Sequence, residues 1–477
     1  MVKPFGLLSV VVIALGLSGC ATTSVFESYP SSAKTVKKDL VQQNYQAAEK
    51  YLLPDTTSKD GLLYLLELGR TQQLAGQYEK SLKTYQKAIG MIDKNHQKPI
   101  VQLSHIGVTG ASFLTNDNAI PFTSSSYEEV MAHQYQALNY FALGNLSGAL
   151  VEVRRADEVQ RKALERNQKE LDEAKKVAAK QNYDESQVWS KKQFDSFNAV
   201  AAKVRSSFLN AYTFYFSGLL YELSGSLNDA YIDYKKALKL EPNNPYLQED
   251  VLRLAKLLNM DNDLSYYRKY LKRKVITPAA NQGTLVVLFE SGFVPAKQQF
   301  KLPLPTGAGV IAIAIPYYST PWQNPVPLRI TGGNNHVIGK TSMLVSVQAL
   351  AAKALQEKMP WIIAREVARS IAKAAITYKL QKEGDGLAAF MSSLYNVVSA
   401  QADLRSWLTL PRQAQVLQKI MRKGHQELTL NYQGLTKKAS VDIKPGQMTV
   451  LWVIAIGHHL EIHSLPKQIT QTKESSA

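Results

Sequence analysis

Apolar positions in the first half of this chain recur at helical spacing, and in three places the small residues among them follow one fixed order. A small residue is followed seven positions later by Gly, then after five by a small residue, after four by a bulky one and after three by Ala. The sets are Gly69, Gly76, Ser81, Tyr85 and Ala88; Ala137, Gly144, Ala149, Val153 and Ala156; and Gly218, Gly225, Ala230, Tyr234 and Ala237. Tyr221 precedes the turn of the third set and Pro242 follows its second helix. Each set predicts a pair of antiparallel helices, because small residues let two helices approach, Gly opens the turn and the bulky residue fills the gap between them. A half repeat sits at Asn44, Tyr45, Ala47, Ala48 and Leu52, and residues 247–274 read as an amphipathic cap with a basic end. Residues 95–126 are rich in Gly, Ser, Asn and Pro with no helical period, which predicts an ordered loop excursion. Residues 154–205 are highly charged and predict elongated helices projecting from the stack.

Past Pro278 the period becomes that of extended chain. Short runs rich in Val, Ile, Leu and Thr at 285–289, 310–315, 326–330, 426–432, 439–443 and 448–456 predict strands, with Gly307-Ala308-Gly309 and Lys444-Pro445-Gly446 as breaks. Two helices, at 345–380 and 387–402, interrupt them. The first carries Met359-Pro360-Trp361, then Glu366, Arg369 and Lys373 among alanines and isoleucines. Such a basic amphipathic helix packs on a neighbouring sheet or lies on a membrane. The fold class that follows is α+β, an N-terminal α-solenoid of helix pairs followed by a small antiparallel β-rich domain with inserted helices. Its expected divisions are a signal peptide over 1–19, a tether over 20–32, a helical domain over 33–275, a β-rich domain over 281–465 with its helical insert at 345–402, and a tail over 466–477.

The three sets resemble tetratricopeptide repeats, whose consensus has this order within about 34 residues. That resemblance implies a concave groove suited to an extended segment or helix of a protein partner. Tyr85, Tyr140, Tyr221, Tyr231 and Tyr234 are the candidate partner-binding residues, and Tyr85 and Tyr234 fit a core role as well.

Charge and the N-terminus add an address. Lys3 followed by an apolar stretch over 7–17 has the proportions of a signal peptide and is too short to span a bilayer. Leu17-Ser18-Gly19-Cys20 then resembles a bacterial lipobox, which implies cleavage before Cys20, diacylglycerol on its thiol and acylation of its new amino group. At roughly 0.8 kcal/mol per buried methylene, three acyl chains hold a protein on a membrane almost permanently. Ala21, in place of the aspartate that usually retains such proteins in the inner membrane, points to a lipid anchor in the outer membrane, on its periplasmic face. Cys20 is the only cysteine, so the lipidated chain has no thiol for disulfides, metal or nucleophilic catalysis. The formal net charge is +17, and from residue 281 onward there are 21 Lys and Arg against 10 Asp and Glu. Residues 291–356 hold no acid, a surface that favours anionic neighbours such as lipid headgroups, peptidoglycan or another anionic polymer, or an acidic protein. Nucleic acid and nucleotides do not belong to that compartment.

Motifs for chemistry are sparse. Gly333 and Gly339-Lys340-Thr341 have the residues of a phosphate loop but the wrong spacing. His459, Glu461 and His463 alternate on one face of an expected strand and, with His458, have the residue types of a metal site without a second cluster of ligands. No nucleophile elbow or His-Glu-x-x-His pair occurs, and no cofactor is implied. Asp117, Glu128 and Glu129 are the nearest candidates for paired carboxylates. Glu152 with Arg154 and Arg155, and Asp403 with Arg405, read as structural pairs. Leu114-Thr115-Asn116-Asp117, Tyr127-Glu128-Glu129-Val130, Ala137-Leu138-Asn139-Tyr140, Val151-Glu152-Val153-Arg154-Arg155, Phe289-Glu290-Ser291-Gly292 and Ala402-Asp403-Leu404-Arg405-Ser406-Trp407 with Leu410-Pro411 resemble a family of predicted bacterial lipoproteins with tetratricopeptide repeats. The resemblance spans most of the chain and implies boundaries but no activity. The expected function is a protein-protein interaction scaffold in cell-envelope assembly or secretion, not an enzyme. A peptidoglycan or anionic-polysaccharide binding module and an envelope hydrolase are the alternatives.

Overall fold

A computed structural model describes residues 28–97, 117–184, 191–306, 309–333, 336–382 and 401–466. Cys20, the helix expected over 387–402 apart from its last two residues, and most of the 95–126 excursion lie outside them. Among the described residues, eleven helices precede the first strand. They are α1 Tyr29–Val41, α2 Tyr45–Leu52, α3 Gly61–Leu74, α4 Tyr78–His96, α5 Ser126–Ala142, α6 Leu146–Gln181, α7 Asp195–Ala201, α8 Ala211–Leu223, α9 Leu227–Leu240, α10 Pro245–Leu257 and α11 Asp261–Leu271.

Five helical hairpins share one turn. The second residue after the first helix has positive φ in each: Gln43 (58°), Gly76 (70°), Gly144 (77°), Gly225 (82°) and Asn259 (53°). The next amide then bonds a carbonyl five residues back, Asn44 to Asp39, Gln77 to Gln72, Asn145 to Tyr140, Ser226 to Tyr221 and Met260 to Ala255, all at 2.8–2.9 Å. This bond closes a helix through a left-handed residue and satisfies a terminal carbonyl. Three of these hairpins, α3/α4, α5/α6 and α8/α9, carry the glycine pattern. The other two use Gln43 and Asn259, so the half repeat at 44–52 and the cap at 247–274 are full hairpins of the same kind. Helix α1 begins inside the segment expected to be tether, because Ser32, Ala33, Val36 and Leu40 bury an apolar face on the stack.

The second half holds β1 Gln282–Ser291, β2 Gln298–Thr306, β3 Gly309–Tyr317, β4 Arg329–Thr331, β5 Val337–Lys340, β6 Ser342–Ser346, α12 Val347–Lys382, β7 Gln413–Arg422, β8 Gly424–Tyr432, β9 Leu435–Ile443, β10 Met448–Ile456 and β11 His459–Leu465. A five-stranded sheet runs β11-β10-β1-β7-β6, a four-stranded sheet runs β5-β4-β8-β9, and β2 and β3 form a separate hairpin. All pairs are antiparallel except β1 with β10, which run parallel. Strands β1 and β10 are buried on both faces. Val286, Leu288, Val450, Trp452 and Ile454 join the core shared with the helices, while Leu285, Val287, Phe289, Leu451 and Val453 face the four-stranded sheet. Alternate side chains of one strand point to opposite faces, so the central sheet glues two layers together. The helical and β-rich regions thus share one core. Helix α12 lays Leu350, Met359, Ile363 and Val367 into that core. Its Arg369 and Glu366 are buried and paired with each other, so this basic stretch of the helix packs inward rather than lying on the surface.

Candidate interaction surface

The concave side of a repeat stack is its usual binding face, and here the chain fills it with itself. Every residue of α3 is buried, as is nearly every residue of α5 and of α8. Polar groups on such helices need internal partners. Three inner helices each send one side chain to Glu290 of β1: Arg70 of α3 forms an ion pair with it, Tyr135 of α5 donates at 3.3 Å and Tyr212 of α8 at 3.0 Å. The Arg70 guanidinium also lies over the rings of Tyr135 and Trp452, at 4.3 and 5.1 Å.

Residues 402–411 cross the same groove. The Trp407 amide donates to Glu128 at 2.8 Å, and the Leu408 and Thr409 amides donate to Glu67 at 2.6 and 3.0 Å. The Trp407 ring packs against Tyr85 and Tyr135, each 5.9 Å between centroids. Arg405 donates to Asp60 at 2.5 Å, to Asp403 at 2.8 Å and to the carbonyls of Ile120 and Asp117 at 2.8 and 2.9 Å. Burial pushes the Glu67 and Glu128 carboxyls above their ordinary range, against the pull of these amide bonds. The groove expected to receive a partner is therefore occupied by an internal segment.

Burial also reassigns the candidate tyrosines. Tyr85 and Tyr234 are fully buried against Gly69 and Gly218, where an added Cβ would come within 3.0 and 2.7 Å of their rings. The Tyr221 ring is buried and its hydroxyl accepts from Arg154 at 3.2 Å, so Arg154 does not pair with Glu152. Glu152 instead meets Arg155 at 3.3 Å and His133 at 2.7 Å. Tyr140 is half-buried over Gly148. Of the five, Tyr231 lines an open cleft.

That cleft lies between α9 and α11, the second helices of the last two hairpins, and encloses about 710 Å³. Its floor is Tyr231 and Leu238, both buried, with Met260. The Tyr231 hydroxyl and the Lys235 ammonium both donate to Asp263, at 2.7 Å each, and Lys235 sits 4.9 Å above the Tyr231 ring. Lys235 first, then Tyr231, holds the Asp263 carboxyl below its ordinary range. Lys236 pairs with Asp157 and Asp233, both at 3.1 Å. Arg205 and Lys239, both exposed on the rim, have no carboxylate partner among the described residues. Tyr266 and Tyr270 are 61% and 63% exposed, and their rings lie parallel with centroids 5.9 Å apart. Helix α11 has no buried residue. Sequence reasoning read this segment as a cap and passed over Tyr266, Tyr267 and Tyr270, whose crowding on one short helix was the available signal.

The other candidates are engaged. Glu461 accepts from Tyr45 and from Gln43 at 3.1 Å, the His459 and His463 rings lie 3.6 and 3.7 Å from its oxygens, and His463 meets the Tyr78 hydroxyl at 3.0 Å. Their common face packs on the first two hairpins, and no group of three metal-ligating side chains converges among the described residues. Gly339-Lys340-Thr341 joins β5 to β6 rather than a strand to a helix, and Thr341 donates to Gln415 at 2.6 Å. Asp117 pairs with Arg365 at 2.9 Å and with Arg369. Burial raises Glu129, but bonds from His96 at 3.0 Å and Arg166 at 3.3 Å outweigh it and hold its carboxyl below the usual range. Among the described residues no helix is long and apolar enough to cross a membrane.

No protein-family model matches the chain, and no curated protein does. Solved structures that align with it include MamA (12% identity over 51% of this chain and 93% of that one, TM-score 0.28). A tetratricopeptide repeat protein from Parabacteroides merdae aligns at 14% identity over 52% and 68%, with a TM-score of 0.28. The TPR2AB domain of yeast Sti1 in a complex with pHSP90 aligns at 13% over 50% and 89%, with a TM-score of 0.19. At this level they bear on no question of partner; the tetratricopeptide-like architecture rests on the five equivalent hairpins.

Proposed function

We propose that this chain is a lipoprotein anchored in the outer membrane at Cys20, on the periplasmic face, and that it serves as a protein-protein interaction scaffold in cell-envelope assembly or secretion. The observation that supports this reading is the open cleft between α9 and α11, with exposed Tyr266 and Tyr270 on a helix that has no fully buried residue. Exposed aromatic clusters of this kind mark partner surfaces. Helix α1 starts at Tyr29, so the link from Cys20 to Ser28 extends at most about 29 Å. The anchor would hold the first hairpin near the bilayer, with the cleft at the other end of the row of hairpins. Photocrosslinking in intact cells from a reactive residue at position 270 tests the reading. Discrete protein adducts are expected, and capture of lipid and bulk periplasmic proteins alone would end it.

A second reading, binding of peptidoglycan or another anionic polymer, is favoured by the exposed Arg422, Lys423, Lys438 and Lys444 on and around β8 and β9. It predicts retention on sacculi at low salt that high salt abolishes. An envelope hydrolase is the weakest reading, since Asp117, Glu128 and Glu129 are each taken up by cations or amides.

A further inference from the structure

The cleft on α9 and α11 has a chemistry of its own, and it differs from that of the concave groove. The concave groove presents carboxylates, Glu67 and Glu128, to backbone amides of the internal segment. The cleft on α9 and α11 presents cations. Arg205, Lys235, Lys236 and Lys239 surround it against one lining carboxylate, Asp263, which already accepts from Lys235 and Tyr231. Lys235 and Lys239 lie one helical turn apart, about 6 Å along α9. Beside them run Ile232, 44% exposed, Met260, and the exposed edges of Tyr266 and Tyr270.

We infer that this cleft binds an acidic segment of a partner protein, one that sets carboxylates against Arg205 and Lys239 and an apolar side chain over Leu238 and Met260. The inference rests on the scaffold reading and names the chemistry of its partner. Arg205 and Lys239 are exposed and have no carboxylate partner among the described residues, so pairing them with one sacrifices no ion pair seen there. The floor of Tyr231, Leu238 and Met260 is apolar, and the Tyr231 hydroxyl is already given to Asp263, so the floor suits an apolar side chain better than sugar hydroxyls. Sugar rings stack on open aromatic faces, whereas Tyr266 and Tyr270 turn one face of each ring toward the other. The lining residues of the cleft include neither the internal segment at 402–411 nor its ligands Asp60, Glu67 and Glu128, so binding requires no opening of the shared core.

The test is selection of a displayed random 16-residue peptide library on the full-length lipidated protein in detergent, followed by affinity measurement on the enriched peptides. Enrichment of peptides combining several Asp or Glu with an aromatic or aliphatic residue is expected. Their affinity should fall at least tenfold in Arg205→Glu/Lys239→Glu and in Tyr266→Ala/Tyr270→Ala, and it should weaken with salt. All four positions are exposed, so circular dichroism and melting of the variants should match the parent. Peptides without acidic excess, or equal binding by the variants, would overturn the inference. So would polygalacturonate binding that shows the same dependence on these four residues, which would assign the cleft to anionic polysaccharide. Protein adducts in cells that persist in both variants would leave the scaffold reading standing and sink this one.

Discussion

Arg70 on α3 and Glu290 on β1 form an ion pair shut away from solvent at the junction of the helical stack and the central sheet. Glu290 also accepts from Tyr135 and Tyr212, so three successive repeats report to one carboxylate. Desolvating such a pair is costly, and removing one partner leaves an uncompensated buried charge. Glu290→Leu should therefore lower stability by about 3–5 kcal/mol in urea unfolding. Arg70→Met with Glu290→Leu should recover much of that loss, because an apolar pair of similar volume carries no stranded charge. Equal destabilisation by the single and double variants would contradict this account.

The glycines of the repeats divide into two physical kinds. Gly218 lies under the Tyr234 ring, and an added Cβ would come within 2.7 Å of it. Gly225 sits at the turn with φ of 82° and open space around it. Gly218→Ala should cost about 1–3 kcal/mol through overpacking. Gly225→Asn should cost about 1 kcal/mol or less, since Asn259 fills the same turn position in the last hairpin. Melting of the two variants side by side checks the ranking.

That distinction explains what the sequence made legible. The close helix contacts use small residues and three of the turns use glycine, so their spacing was visible. The turns at Gln43 and Asn259 use non-glycine left-handed residues, so two hairpins passed as a half repeat and a cap. Strands β1 and β10 were found because their apolar runs are continuous, while β7, with Gln413, Gln415, Gln418 and Lys419 among its apolar residues, was not. Those glutamines are partnered internally, Gln415 with Thr341 and Gln418 with Tyr215 and Asp250. The concave groove was mistaken for a partner site because nothing local in residues 402–411 says what they fill. Their ligands, Asp60, Glu67 and Glu128, lie some 280–340 positions away in the chain.

Acidity should stabilise this protein over one window through Glu241. Burial pushes its half-buried carboxyl up to about 7. The unfolded chain releases this proton near the ordinary glutamate value of about 4.3. Between these values the folded state holds more protons, so stability falls as pH rises from about 4.3 to about 7 and is level above that. Melting temperature of the parent relative to Glu241→Gln should decline across this window. A flat difference from pH 4 to 8 would show that Glu241 titrates as an ordinary carboxylate.

Lipidation at Cys20 is testable apart from any partner. Cys20→Ser should abolish incorporation of labelled palmitate and release the protein from the outer-membrane fraction. Retained label in the variant would refute the anchor. Because α1 docks on the folded body through Ala33, Val36 and Leu40, the released protein should melt at the same temperature as the parent in detergent.

The shared core makes a last prediction about separability. Helices α3, α5 and α8 are buried on almost every side only because β1, β10 and residues 402–411 cover them. A chain ending at residue 275 would expose Leu62, Leu66, Tyr135, Leu138, Phe216 and Leu220 along one groove, and would take Glu290 from Arg70 and the Leu408 and Thr409 amides from Glu67. An apolar groove of that length exceeds what a soluble monomer usually presents to water. Residues 21–275 expressed alone should therefore aggregate or bind a hydrophobic dye strongly, and mixing with residues 276–466 should reduce the dye signal. A soluble, dye-silent monomer of 21–275 with a cooperative melt would show that the stack is an independent domain and that the sheet merely rests against it.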